Sequence, residues 1–341
     1  MPLLRFRYRA FLSKEQVNGL VRPSPDTVEL VCAWLEHNGI PSSSISTTHG
    51  KTWLTVTNLR VTQASELLGA SYQLYRNMRT NETIIRTVGY SLPDVLHRHV
   101  QTVMPTTHFF SMEMTVQTPH RRTFGPAPAE TGKPGTVQAR QPPPEPLPET
   151  PIVEPANLRR IYGTTEYQPI GYHPGQNRLA VVGIRLPREQ DLNLFMDAYR
   201  STGGEVETYD VGHVGGGNPV VYLNEIPDEA STVAVQYAMA MAYPTPLTFY
   251  RIRRLPAQPA DDPFVAFITS LLFQQGIPQT LIISINYFLE NTVPPGYARL
   301  VCSVFQQLGA RGVSVLVASG NNGVGPEVCN QFEVGFPSSC A

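Results

Sequence analysis

The sequence has no block of like charge, no long apolar run and only four cysteines, and each lack excludes a class of function. Lysine and arginine number 26 against 27 acidic residues, a net charge of −1 without a basic patch, which gives no electrostatic footprint for nucleic acid or an anionic membrane surface. No apolar stretch approaches the roughly twenty residues that cross a bilayer, so no transmembrane segment and no membrane partner are expected. The start, Met1-Pro-Leu-Leu-Arg-Phe-Arg-Tyr-Arg9, has neither the apolar core nor the small-residue cleavage site of a signal peptide, and by itself reads as cytosolic. Charged residues at 16% and hydrophobic ones at 41% indicate packed cores rather than a solvated chain. At 341 residues there is room for about two domains.

The cysteines do not fix the redox compartment. Cys32 and Cys302 fall inside helical patterns and read as buried thiols, whereas Cys329 and Cys340 flank a Gly/Pro-containing loop and form the candidate disulfide. The sequon Asn81-Glu-Thr83 occurs once and is a weak signal by itself. His97 and His99 lack a Cys/His partner set, so no metal site is expected and both read as surface or packing residues. His213 reads as a loop residue at a strand end.

Proline marks the main boundary. Between about Thr115 and Pro155 the chain is rich in Pro, Gly, Thr and Gln, with Gln141-Pro-Pro-Pro-Glu-Pro-Leu-Pro148 at the centre. Such a composition favours an extended, exposed linker, assigned to residues 113–155. Before it, residues 1–112 read as a small α+β module. Ser13-x-x-Gln16 is a capping box, Ser24-Pro25 starts a helix whose apolar face is Val28, Leu30, Val31, Trp34 and Leu35, and Gln63–Leu68 is a further helix. Strands are expected around His49-Gly50 within Ile45–Val56, and over Tyr72–Tyr75 and Thr83–Val88.

Residues 156–341 follow a different grammar. Apolar runs Leu179–Ile184, Glu205–Tyr209, Leu247–Tyr250, Leu281–Ile285 and Val313–Ala318 alternate with helical patterns Gln190–Tyr199, Ala230–Ala242, Pro263–Gln275 and Tyr297–Leu308. That alternation indicates a parallel sheet covered on both faces, with functional groups at the carboxyl ends of its strands. Asp210–Gly217, Ser284–Phe288 and Ser319–Gly325 meet that condition.

Specific motifs add a resemblance. Gln236-Tyr-Ala-Met-Ala-Met-Ala-Tyr-Pro-Thr-Pro246, Ile283-Ser-Ile-Asn-Tyr287, Ala318-Ser-Gly-Asn-Asn-Gly-Val-Gly325 and Phe336-Pro-Ser-Ser-Cys340 are similar, in order, to the sedolisins, the serine-carboxyl peptidases that include kumamolisins and fungal tripeptidyl-peptidases. Leu12-Ser-Lys-Glu-Gln-Val17, Pro23-Ser-Pro-Asp-Thr27, Ala33-Trp-Leu35 and Arg86-Thr-Val-Gly-Tyr-Ser-Leu-Pro93 resemble the activation prodomain of that family. The resemblance implies a subtilisin-like α/β parallel sheet, here an incomplete catalytic domain, preceded by a small α+β prodomain. It also implies a zymogen acting outside the cell, a peptide or protein substrate, and a Ser-Glu-Asp triad with an oxyanion Asp working at low pH. The prodomain, lacking its start, would partner the catalytic half and cover the cleft until the linker is cut.

The site residues depart from the family pattern. Where the family has Glu-Ala-x-Leu-Asp-x-Gln-Tyr, this chain has Glu229-Ala-Ser-Thr-Val-Ala-Val-Gln-Tyr237. Aligning on Gln236-Tyr237 puts Ala230 and Ala234 at the acidic positions, and aligning on Glu229 puts Val233 at the Asp position. Glu229 is thus either a remnant base or a solvated carboxylate at the positive end of a helix. Asn321 stands at the oxyanion Asp position, where its amide could donate without being protonated; the other reading is an ordinary turn Asn. Ser284, Asn286, Phe288, Ser319 and Gly320 would line the substrate, with Phe288 replacing a family Gly and either obstructing the substrate backbone or pushing the loop outward. The nucleophile motif Gly-Thr-Ser-x-Ser and the family's calcium loop are expected beyond Cys340, which leaves no cofactor in this chain. The expectation is a catalytically incompetent pseudoenzyme. The alternative is a non-catalytic binding protein that inhibits an active paralogue or assists its folding.

Overall fold

A computed structural model describes residues 10–48, 50–76, 78, 81, 83–109, 153–167, 177–199, 210–213, 229–252, 263–285, 288–320 and 334–340. The N-terminal module begins with α1 (Lys14–Val21), where Ser13 Oγ accepts from the Gln16 amide and the Gln16 side chain accepts from the Ser13 amide. This is the reciprocal cap that the spacing predicts. Helix α2 (Pro25–His37) starts at Ser24, whose hydroxyl accepts from the Thr27 amide. Its buried Val31 and Leu35 meet Ile40 and Leu96, with Leu54 and Val56 packed alongside. The remaining elements are two antiparallel hairpins, β1 (Ile45–Thr47) with β2 (Leu54–Val56) and β3 (Gln73–Arg76) with β4 (Thr83–Arg86), and between them α3 (Val61–Leu67). The proposed linker falls almost wholly outside the described residues.

After it come α4 (Pro155–Ile161), β5 (Leu179–Gly183), α5 (Glu189–Tyr199), β6 (Asp210–His213), α6 (Glu229–Ala242), β7 (Leu247–Arg251), α7 (Pro263–Phe273), β8 (Thr280–Ile283), β9 (Phe288–Leu289), α8 (Pro295–Ala310), β10 (Ser314–Val317) and β11 (Gly335–Phe336). Five strands form one parallel sheet in the order β10-β8-β5-β7-β6. Alternate residues of β5 serve opposite faces. Ala180 and Val182 pack with Phe264, Phe267, Ile268, Val301, Val304 and Leu308 of α7 and α8. Leu179 and Val181 pack with Leu192, Met196, Val235 and Met239 of α5 and α6. All of β5 is buried because both faces are covered, which is why its sequence is continuously apolar instead of alternating. The fold is an α/β arrangement, a parallel sheet covered by helices on both faces, preceded by an α+β module.

Several expectations need adjusting. The strand expected at 205–209 lies outside the described residues; the strand observed nearby is β6, which takes in His213, so that residue is on a strand and not a loop. Cys340 is bonded to Cys302, not to Cys329, and Cys302 is therefore not a free thiol. The reason is placement: the turn after β11 lies against the middle of α8, bringing the two Cα atoms to 5.1 Å across a sequence separation of 38. Cys329 itself lies outside the described residues. Cys32 is a free, half-buried thiol.

Candidate functional site at the carboxyl ends of the strands

Helix α6 starts against the carboxyl end of β5. Gly183 permits this approach, since a Cβ there would fall 2.7 Å from both Ser231 Oγ and Phe249 Cζ. Ser231 and Thr232 are buried in the first turn of α6, and Thr232 Oγ1 accepts from the Arg188 amide at 2.9 Å. Gln236 Nε2 donates to the Asp191 carbonyl at 2.9 Å, so the seam between α5 and α6 is closed by polar side chains. Glu229 opens the same helix but is exposed. Among the described residues its side chain has no hydrogen bond or ion pair, and no second carboxylate follows it on α6.

Ser284 directly follows β8, and Ser319 and Gly320 follow β10. The parallel register pairs Val317 with Ile283, and the Ala318 amide donates to the Ile283 carbonyl at 3.0 Å. These three candidate residues therefore come together at one end of the sheet. β11 closes over them, since a Cβ on Gly335 would lie 3.2 Å from the Ser319 carbonyl oxygen. The backbone of Phe288 pairs with Phe336 in the small β9–β11 sheet, and Phe336 is buried with its ring 6.1 Å from that of Tyr297. Asn286 and Asn321 lie outside the described residues, as does the side chain of Phe288. His97 Nε2 contacts the Leu92 carbonyl at 2.9 Å and His99 Nδ1 contacts Thr27 Oγ1 at 2.8 Å. Both are engaged in holding the module, and no cluster of metal-ligating side chains occurs among the described residues.

Sequence reasoning missed the seat of the module along α8. At the amino end of the sheet the Leu12 amide donates to the Ala310 carbonyl at 2.9 Å, and Lys14 Nζ donates to Phe273 O at 3.1 Å. The Phe11 ring lies over Gly312, whose φ of 86° and lack of Cβ allow it; a Cβ would fall 2.4 Å from that ring. Arg311 anchors the same turn by donating to the carbonyls of Leu271, Leu272 and Gln274 at the end of α7. At the other end of α8, Thr102 approaches Gly296, and the His108 ring stacks on Tyr297 with centroids 5.8 Å apart. Arg86, itself buried, donates from Nε to the His108 carbonyl at 2.6 Å. Burial, and then the neighbouring Arg86 charge, push the His108 pKa down to about 3. A buried Arg and His so close to an interface carry no local sequence signal beyond their residue types.

Comparison with known proteins bears on what this seated module is. Residues 5–109 match the profile of the family described as Pro-kumamolisin, activation domain. The chain is 26% identical over 355 residues to the probable tripeptidyl-peptidase SED3 of Trichophyton verrucosum, covering 98% of this chain and 56% of that protein. Tripeptidyl-peptidase SED4 of Arthroderma otae is 26% identical over 357 residues, covering 98% and 55%. The chain is similar to the sedolisin family along nearly its whole length, and its N-terminal module matches that family's activation domain. The chain spans about half the length of the curated relatives it matches. A solved Pseudomonas sedolisin, complexed with two molecules of pseudo-iodotyrostatin, aligns over 55% of this chain and 51% of its own at 17% identity and TM-score 0.39, a likeness too loose to bear on the site. The module that matches the activation domain is the part seated on α8, whereas Glu229 opens α6 and Ser284, Ser319 and Gly320 follow strands β8 and β10 of the adjoining sheet. No helix among the described residues is long and apolar enough to cross a membrane.

Proposed function

We propose that these 341 residues are a sedolisin-type prodomain (1–112), a Pro-rich linker (113–155) and the N-terminal part of a peptidase domain (156–341), and that by themselves they do not hydrolyse peptides. The observation that carries this reading is α6. Its one carboxylate, Glu229, stands exposed at the first position, while the positions that could hold an orienting Asp on either alignment are Val233 and Ala234. A carboxylate base without a partner to orient it forfeits several orders of magnitude in rate. Peptides remain the ligand class that the family chemistry suggests for the Ser284–Ser319 end of the sheet, with Asn321 as its amide donor. The Cys302–Cys340 bond supports an oxidising, extracellular setting.

The test is cleavage of casein and of chromogenic tripeptide substrates by the purified chain between pH 3 and pH 6. No turnover above buffer is expected. Turnover that disappears in Glu229→Gln would overturn the loss of activity and make Glu229 a working base; turnover that survives it would also remove Glu229 from the site. The seating of the prodomain in cis, with Lys14 and Leu12 already bonded to α7 and α8, speaks against the alternative of a free partner for an active paralogue.

A further inference from the structure

We propose that Asn81 is an N-linked glycosylation site, presented at the turn of the β3–β4 hairpin. Three independent observations meet there. The first is sequence: Asn81-Glu82-Thr83 is the one sequon in the chain, it has a non-proline centre, and it carries the Thr hydroxyl at its third position. The second is placement. Asn81 is exposed and has φ of 61°, the left-handed conformation that Asn tolerates at a tight turn, and Thr83 is exposed as the first residue of β4. A bulky saccharide needs such a convex, open position. The third is chemistry elsewhere in the chain: the Cys302–Cys340 disulfide marks folding in the oxidising compartment where glycan transfer also occurs.

The transfer balances without any group from this protein beyond the acceptor amide. Asn81 Nδ2 attacks the anomeric carbon of an oligosaccharide linked to a lipid pyrophosphate. The C–N bond forms, the C–O bond to pyrophosphate breaks, the amide gives up one proton, and the lipid pyrophosphate leaves. The host transferase and its lipid-linked donor are the co-reactants.

The hairpin also gives the glycan something to cover. In the β3–β4 register Leu74 pairs with Ile85 on the outward face, and both are exposed, at 69% and 44%. Met78 in the connection is 92% exposed. The inward face carries the pairs Tyr75–Ile84 and Gln73–Arg86. Arg86, which reaches His108 at the seat, is at the opposite end of β4 from Thr83, so a saccharide on Asn81 leaves the seat clear. A two-stranded hairpin with an exposed Leu74–Ile85 pair, beside Arg76 and Thr83 on the same face, offers open edges to other chains, and a glycan at its tip blocks that approach.

The test expresses the full chain behind a cleavable secretory leader in a yeast host, with cell lysate and medium both analysed because transfer precedes export. The expected result is one step of reduced gel mobility, abolished by an amidase that strips N-linked glycans and accompanied by conversion of Asn81 to Asp in the released peptide. Asn81→Gln and Thr83→Ala should each remove the step, and Thr83→Ser should retain it. Chain that migrates identically before and after the amidase, in a host that modifies a control sequon, would overturn the proposal. Stripped chain should scatter more light than glycosylated chain, and Leu74→Ser with Ile85→Ser should cancel the difference; equal scattering by stripped and glycosylated chain would overturn the covering role.

Discussion

Burying an imidazole between Arg86 and Tyr297 keeps His108 neutral, because the site desolvates its charged form and sets a guanidinium beside it. The folded pKa is about 3 against an ordinary 6.5, so the unfolded or unseated chain takes up a proton that the folded chain refuses. Stability from this residue is therefore fully present above pH 6.5 and is lost progressively as pH falls toward 3, by about 1.4 kcal/mol per pH unit. His108→Phe keeps a ring against Tyr297 and removes the titration. Urea unfolding at pH 7 and pH 4 should show a smaller acid loss in the variant, by roughly 2–3 kcal/mol. Equal losses would mean that His108 is not what senses acid. Gly183 makes a second case at this scale. Ala there places a methyl within 2.7 Å of Ser231 Oγ and Phe249 Cζ, in a packed layer with no free direction, and should cost about 1–3 kcal/mol in the same assay.

Among the elements, α7 depends on a side chain from outside it. Its last carbonyls lack intrahelical donors, and Arg311 supplies three hydrogen bonds while Lys14 supplies one from the prodomain. Arg311→Met should lower the thermal midpoint and cost on the order of 2–3 kcal/mol, the range for hydrogen bonds to a charged group; a cost below about 0.5 kcal/mol would show that water replaces it. Much of this layering was legible in the sequence. β5 and β7 read as strands because a sheet covered on both faces needs unbroken apolar runs, and α1 and α2 were announced by Ser13 and Ser24. The cysteine pairing was not legible. Helical periodicity says that Cys302 faces inward, but only the return of the chain after β11 decides that Cys340 meets it. Cys302→Ser should destabilise the chain by about 2–4 kcal/mol, read by comparing unfolding of the variant with that of reduced wild type, which should match it. The candidate site was legible in part: parallel register was enough to join Ser284 to Ser319, whereas the seat on α8 rests on backbone carbonyls at Phe273 and Ala310 that any residue could supply.

At the scale of the whole molecule, α8 is the rail that joins the two parts. One end holds Phe11 and Leu12 of the prodomain at the turn of Arg311 and Gly312, and the other holds Thr102 and His108 beside Gly296 and Tyr297. Contacts at both ends of a 16-residue helix resist rotation as well as separation, so the prodomain should stay in place after the connection is cut. A sequence-specific protease site placed between Pro144 and Glu145 allows the cut to be made in the folded chain. The nicked protein should elute as one species at pH 7 in size exclusion. Phe11→Ala with Lys14→Met should split it into two, since that pair loses the ring over Gly312 and the bond to Phe273 O. Gly312→Ala should weaken the seat further, because it adds backbone strain at φ of 86° to a collision with Phe11. Phe11→Ala in that background removes the collision and leaves the strain, so only partial recovery is expected. Nicked wild type that separates at pH 7 would show that continuity of the chain, not the seat on α8, holds the prodomain. Nicked wild type that separates only near pH 4, with His108→Phe holding on, would locate the acid-sensitive end of the rail at Tyr297.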